Sequence, residues 1–121
     1  MNSIKKLLMV ITLLLSVTIA NAQIKNQTTE TVTINGNCTM CKKTIETAAY
    51  AKNVAQLTWN ENTQIATIIY DKDKTTTSEI LKRVAKVGYD NEKFIAADNV
   101  YNKLHGCCQY DRKIKEKKRI Q

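Results

Sequence analysis

The chain has 121 residues, room for one domain, with 43% apolar and 25% charged residues, as in an ordinary small globular protein. Three glycines and no proline exclude collagen-like, proline-rich and low-complexity chains. The net charge of +8 sits at the ends: residues 112–121 hold six basic residues and one acid, whereas residues 23–111 hold eleven Lys/Arg against ten Asp/Glu, so the body does not read as a nucleic-acid binder.

Lys5 and Lys6 precede an apolar run from Leu7 to Ala20, and Ala20-Asn21-Ala22 has the small-x-small form of a cleavage site. Residues 1–22 therefore read as a secretory signal peptide, with Gln23 as the first mature residue. The run is shorter than the ~20 apolar residues that span a bilayer. The expected location is the periplasm, with a soluble mature chain.

Residues 23–30 are polar and read as a flexible lead-in. Thr31-Val32-Thr33-Ile34 alternates with period two and predicts a strand, broken by Asn35-Gly36-Asn37. A helix is expected from Met40 to about Ala51, capped by Thr39. Val54–Trp59 and Gln64–Tyr70, joined by Asn60-Glu61-Asn62, predict an antiparallel hairpin. Thr76 with Glu79 is a capping-box signature for a helix carrying Ile80, Leu81, Val84 and Val87 at helical spacing, with Lys82, Arg83 and Lys86 turned outward and Gly88 at its end. Glu92–Ala96 is a fourth candidate strand. The order β-α-β-β-α-β predicts an α+β, ferredoxin-like sandwich over residues 31–96, two helices on one face of an antiparallel sheet. Residues 97–121 read as a C-terminal extension: a helical turn or two, the segment His105-Gly106-Cys107-Cys108-Gln109-Tyr110, and a solvated, mobile basic tail.

Four cysteines, Cys38, Cys41, Cys107 and Cys108, lie in a chain expected to be exported, where disulfides are permitted. A Cys38–Cys41 or Cys107–Cys108 bridge closes almost no loop and stabilises little, so the pairs look more like thiol chemistry than staples. Cys38-Thr39-Met40-Cys41 follows a strand and opens a helix, whose free N–H groups and positive dipole end favour anionic sulfur. Two thiolates with no neighbouring acid or histidine suit Cu(I) or Hg(II). Zn(II) prefers a closed four-ligand shell, for which adjacent Cys107 and Cys108 have poor spacing. A thioredoxin-like redox pair shares the strand–CxxC–helix setting, but that fold relies on a cis-proline and this chain has no proline. Cys107 and Cys108 can join the first pair, form a site with His105, bridge to one another, or cross-pair with Cys38 or Cys41; His105 is a lesser candidate ligand.

The stretch Ile34-Asn35-Gly36-Asn37-Cys38-Thr39-Met40-Cys41, the following Lys42-Lys43-Thr44-Ile45-Glu46, Ala66–Asp71 and Val87-Gly88-Tyr89 resemble the heavy-metal-associated domain family, which includes copper chaperones and periplasmic mercury-binding proteins. The resemblance covers about residues 31–95 and none of the C-terminal segment. It implies a βαββαβ fold, Cys38 and Cys41 as metal ligands, and Tyr89 as the aromatic residue near the metal loop. Gly36 stands where the family carries a buried methionine that supports the loop from beneath; Met40 is a candidate to fill that gap or to offer a thioether. With Thr39, these residues surround the expected site.

The expected function is a non-enzymatic soft-metal carrier, Cu(I) first and Hg(II) or Zn(II) as alternatives, that passes its ion by thiolate exchange to a membrane metal transporter or a periplasmic metalloprotein. Lys42 and Lys43 would offset the thiolate charge and steer an acidic partner. A monomer is expected, or a dimer bridged by metal. A thiol–disulfide redox protein and a metal-responsive adaptor or sensor are the rival readings.

Overall fold

The computed structural model describes residue 3 and residues 24–120; residue 3 apart, the expected signal peptide falls outside them. Three strands, β1 (Gln27–Thr33), β2 (Ala55–Trp59) and β3 (Ile65–Asp71), form an antiparallel sheet in the order β1-β3-β2. Helix α1 (Thr39–Ala49) connects β1 to β2, and α2 (Thr77–Lys86) follows β3. Then come a short α3 (Asp98–Tyr101), a 3-10 turn at Gly106–Cys108, and α4 (Lys113–Ile120). The result is a small α+β fold with a three-stranded sheet.

Period-two alternation builds the buried face. Val32 on β1, Ala66, Ile68 and Tyr70 on β3, and Ala55, Leu57 and Trp59 on β2 are buried, and the register sets Val32 and Trp59 on either side of Ala66. Ile45 and Ala49 from α1 and Ile80, Leu81 and Val84 from α2 complete the core. Each large apolar side chain buried there contributes ~1.5–3 kcal/mol. Thr76 caps α2 by accepting the Glu79 N–H at 3.2 Å, and Gly88 closes it at φ +112°, in the left-handed region. The Glu79 carboxylate accepts from the Thr75 hydroxyl at 2.9 Å.

Four expectations need correction. Residues 27–30, read as lead-in, are part of β1, where Glu30 accepts from the hydroxyls of Tyr70 and Thr77 at 2.9 and 2.5 Å. The fourth strand at Glu92–Ala96 is absent; a single bridge joins Ile34 to Asn91. Side chains take its place: Asn91 Oδ1 accepts the N–H groups of Lys93 and Phe94 at 3.1 and 3.0 Å, and Asp90 Oδ1 accepts that of Ala96 at 2.8 Å, which turns the backbone away from a ladder. Arg83, expected to face solvent, reaches across to the C-terminus of α1 and donates to the carbonyls of Ala48 and Ala49 at 3.1 and 2.9 Å, satisfying orphan acceptors.

The fourth concerns the C-terminal segment, which packs on the domain and does not trail away from it. Tyr110 is buried, stacks on Tyr89 (centroids 5.6 Å apart, planes 19° apart) and meets the ring of Tyr101 edge-on. Its hydroxyl donates to the Gly88 carbonyl at 2.7 Å and accepts the Asp90 N–H at 2.8 Å. Arg112 pairs with the fully buried Asp90 through two 2.8 Å bonds, donates to Asp98 at 2.7 Å and to the Ala96 carbonyl at 2.8 Å, and lies over the Tyr101 ring at 4.5 Å. Lys115 also pairs with Asp98, and the Ile114 N–H donates to Asn35 Oδ1 at 3.0 Å. Residues 105–114 thus form a strap, latched at Asp90 and Asn35. Among the described residues no helix is long and apolar enough to cross a membrane.

Candidate metal centre

The turn after β1 carries the first cysteine pair. Its backbone is held by the Asn35 N–H, which donates to the Asp90 carbonyl at 2.9 Å, and by Gln64, whose Nε2 donates to the Gly36 carbonyl at 3.1 Å. Beneath it stands Trp59. A Cβ on Gly36 would lie 2.8 Å from the Trp59 ring carbons Cη2 and Cζ2 and 3.3 Å from Ile45 Cδ1, so only glycine lets the indole sit this close. The ring is anchored by its Nε1–H, which donates to the Ile34 carbonyl at 2.9 Å. Trp59 thus packs directly beneath Gly36, whereas Met40, the candidate for that place, is 48% exposed.

Cys38 occupies the N-cap of α1 in extended conformation (φ −145°, ψ 176°), and Thr39 is already the first helical residue, so the expected Thr39 cap is replaced by a cysteine. The Cys41 N–H is directed at the Cys38 sulfur, short of a closed cap hydrogen bond, and is the main influence lowering the Cys38 pKa to about 7; the neighbouring thiols of Cys41, Cys108 and Cys107 add to it against the opposing effect of burial. Cys41, in the first turn, is wholly buried.

The strap delivers the second pair to the same place. Its 3-10 turn is set by the Cys108 N–H, which donates to the His105 carbonyl at 2.7 Å, and Asn37 Nδ2 pins the Cys107 carbonyl at 3.1 Å. Cys38 Sγ then lies 3.5 Å from Cys41 Sγ, 3.7 Å from Cys108 Sγ and 3.8 Å from Cys107 Sγ, and the two strap sulfurs are 3.8 Å apart. These separations are far beyond the ~2.05 Å of a disulfide, and all four cysteines are free thiols. The sulfurs of Cys38, Cys41 and Cys108 all lie within 4.8 Å of one another, a grouping that can hold a metal ion. Burial, followed by the other sulfurs, pushes the Cys108 thiol well above the ordinary thiol range, so it is protonated at neutral pH.

Tyr89, wholly buried, closes the inner side. Burial raises its phenol far above the usual range, and the sulfurs of Cys41 and Cys108 raise it further, so the hydroxyl stays protonated as a donor beside them. His105 is exposed at the N-cap of the 3-10 turn and is not part of the three-sulfur group. Lys42 does not face the thiols freely: its ammonium is held by Glu46 and by the Trp59 carbonyl, both at 2.7 Å. Sequence reasoning missed Trp59, Asn37, Asp90, Tyr110 and Arg112, whose roles arise between segments far apart in the chain; beside the two cysteines already singled out, Gln109-Tyr110-Asp111-Arg112 carries no local pattern that points to them.

Compared with protein-family models, curated proteins and solved structures, the chain matches none of them.

Proposed function

We propose that this protein carries a soft cation, Cu(I) or Hg(II), on the thiolates of Cys38, Cys41 and Cys108, and passes it on by ligand exchange outside the cytoplasm. The observation that carries the reading is the convergence of those three sulfurs within 4.8 Å, two from the mouth of α1 and one from the strap. Three thiolates without a carboxylate or imidazole among them favour soft ions over Ca(II) or Mg(II). Cys38, with its pKa near 7, ionises at neutral pH and offers the first anionic ligand. The resemblance of residues 31–95 to heavy-metal-associated domains agrees with this. On that reading the fold is a ferredoxin-like βαββαβ unit whose last strand is reduced to the Ile34–Asn91 bridge. The protein is then a carrier and not an enzyme, exported by its N-terminal segment to the periplasm, with a membrane metal transporter or a metalloprotein as acceptor.

A second reading rests on the low Cys38 pKa and its three sulfur neighbours, which also suit thiol–disulfide exchange. Anaerobic titration of the reduced protein with Cu(I) against a coloured chelator separates the two. Carriage predicts one ion per chain, with affinity falling at least tenfold in both Cys38→Ser and Cys108→Ser. Retention of no soft ion, together with rapid exchange with a model disulfide, would overturn carriage and establish the redox role.

A further inference from the structure

The four sulfurs make more than one three-sulfur face. Cys38, Cys41 and Cys108 bound the inner one, which is walled by the buried Cys41. Cys38, Cys107 and Cys108 bound another, with sides of 3.8, 3.8 and 3.7 Å, and share the Cys38–Cys108 edge with the first. A triangle of those sides has its centre about 2.2 Å from each corner, close to a metal–thiolate bond of ~2.3 Å. The outer face is therefore shaped for a soft ion without rearrangement. Cys107 is exposed, and a Cβ on the preceding Gly106 would meet nothing within 4 Å, so the approach from solvent is open. Nothing in the mouth of α1 alone supplies such a face; it exists because Asn37 fixes the Cys107 carbonyl beside the loop.

We infer that Cys107 is the transfer ligand: a soft cation held on the inner face leaves by exchanging Cys41 for Cys107, while Cys38 and Cys108 keep hold of it. In that step the metal–sulfur bond to Cys107 forms and the bond to Cys41 breaks. The Cys107 thiol releases its proton to solvent and the Cys41 thiolate takes one up, so charge balances and no electron moves. From the outer face, beside the exposed Cys107, a thiolate of the acceptor can attack the ion directly, whereas two of the three cysteines of the inner face, Cys41 and Cys108, are buried. The two contacts to Cys38 and Cys108 stay in place throughout, so the ion never passes through a one-coordinate state.

The inference rests on the carrier reading, and the experiment keeps their failures apart. The reduced protein is loaded with one equivalent of Cu(I) under anaerobic conditions. The number of sulfurs around the ion is read by X-ray absorption, and transfer to a soluble dithiol is followed by stopped flow. The wild type is expected to show three sulfurs. Cys107→Ser keeps three and transfers at least tenfold more slowly. Cys41→Ser also keeps three, now on the outer face, and Cys41→Ser/Cys107→Ser drops to two. Circular dichroism confirms that each variant is folded, and Cys107→Ser, at an exposed position, carries the test if Cys41→Ser is not. A four-sulfur shell in the wild type would overturn the inference, since Cys107 would then be a resident ligand. Transfer from Cys107→Ser at the wild-type rate would overturn it too, leaving carriage intact. Wild-type protein that retains no Cu(I) overturns the carrier reading itself, and this inference with it.

Discussion

Replacing Arg112 with methionine tests whether the strap is held by a buried ion pair. The guanidinium is 11% exposed and the Asp90 carboxylate 0%, and they meet through two bonds of 2.8 Å. Arg112→Met leaves that carboxylate buried with only the N–H of Ala96 as a hydrogen-bond donor from the surrounding chain. Breaking a buried pair from one side costs ~3–5 kcal/mol, a large share of the ~5–15 kcal/mol that holds a small domain together. A double-mutant cycle with Asp90→Asn isolates the charge. The amide oxygen can still accept from Ala96, so Arg112→Met/Asp90→Asn should recover at least half of the loss. Urea unfolding of the wild type, the two single variants and the double variant gives the four free energies. A loss below ~1 kcal/mol in Arg112→Met, the worth of a solvent-screened pair, would refute the argument, as would a double variant no more stable than Arg112→Met. Cys108 stands four residues before Arg112, so the same variant should also weaken Cu(I) retention.

Gly36→Ala places a methyl 2.8 Å from an anchored indole and should cost ~1–3 kcal/mol, measured by thermal unfolding; a smaller cost is expected in a Trp59→Phe background, and a neutral Gly36→Ala would show that the ring is free to move. The Cys38 thiol, held near 7 chiefly by the Cys41 amide, should react with iodoacetamide in metal-free protein at a rate that is half-maximal near pH 7 and falls at lower pH as the thiolate is protonated. Mass mapping of the alkylated peptide assigns the site, and a midpoint near the ~8.5 of a free thiol would contradict the geometry.

Most secondary structure was legible because local patterns dictate it. Alternation in Thr31–Ile34 and Gln64–Tyr70 reflects one wet and one buried face, and Thr76, Glu79 and Gly88 mark the ends of α2 through their own backbone chemistry. Glu92–Ala96 was misread because Asn91 and Asp90 capture the amides that a fourth strand would have used, a competition that apolar pattern does not register. The start of the basic tail was misread for a related reason: six positive charges suggest solvation, which holds for the exposed Glu116, Lys117 and Lys118, but Arg112 finds a buried carboxylate more than twenty residues away in the chain.

By itself the sequence determined that two cysteines stand three positions apart at the mouth of a helix, because spacing and capping are local properties. Whether Cys107 and Cys108 lie beside that pair was decided only in three dimensions. Their sulfurs reach Cys38 because Tyr110 stacks on Tyr89 and Arg112 locks onto Asp90, contacts between parts of the chain whose mutual approach depends on the packed core beneath them.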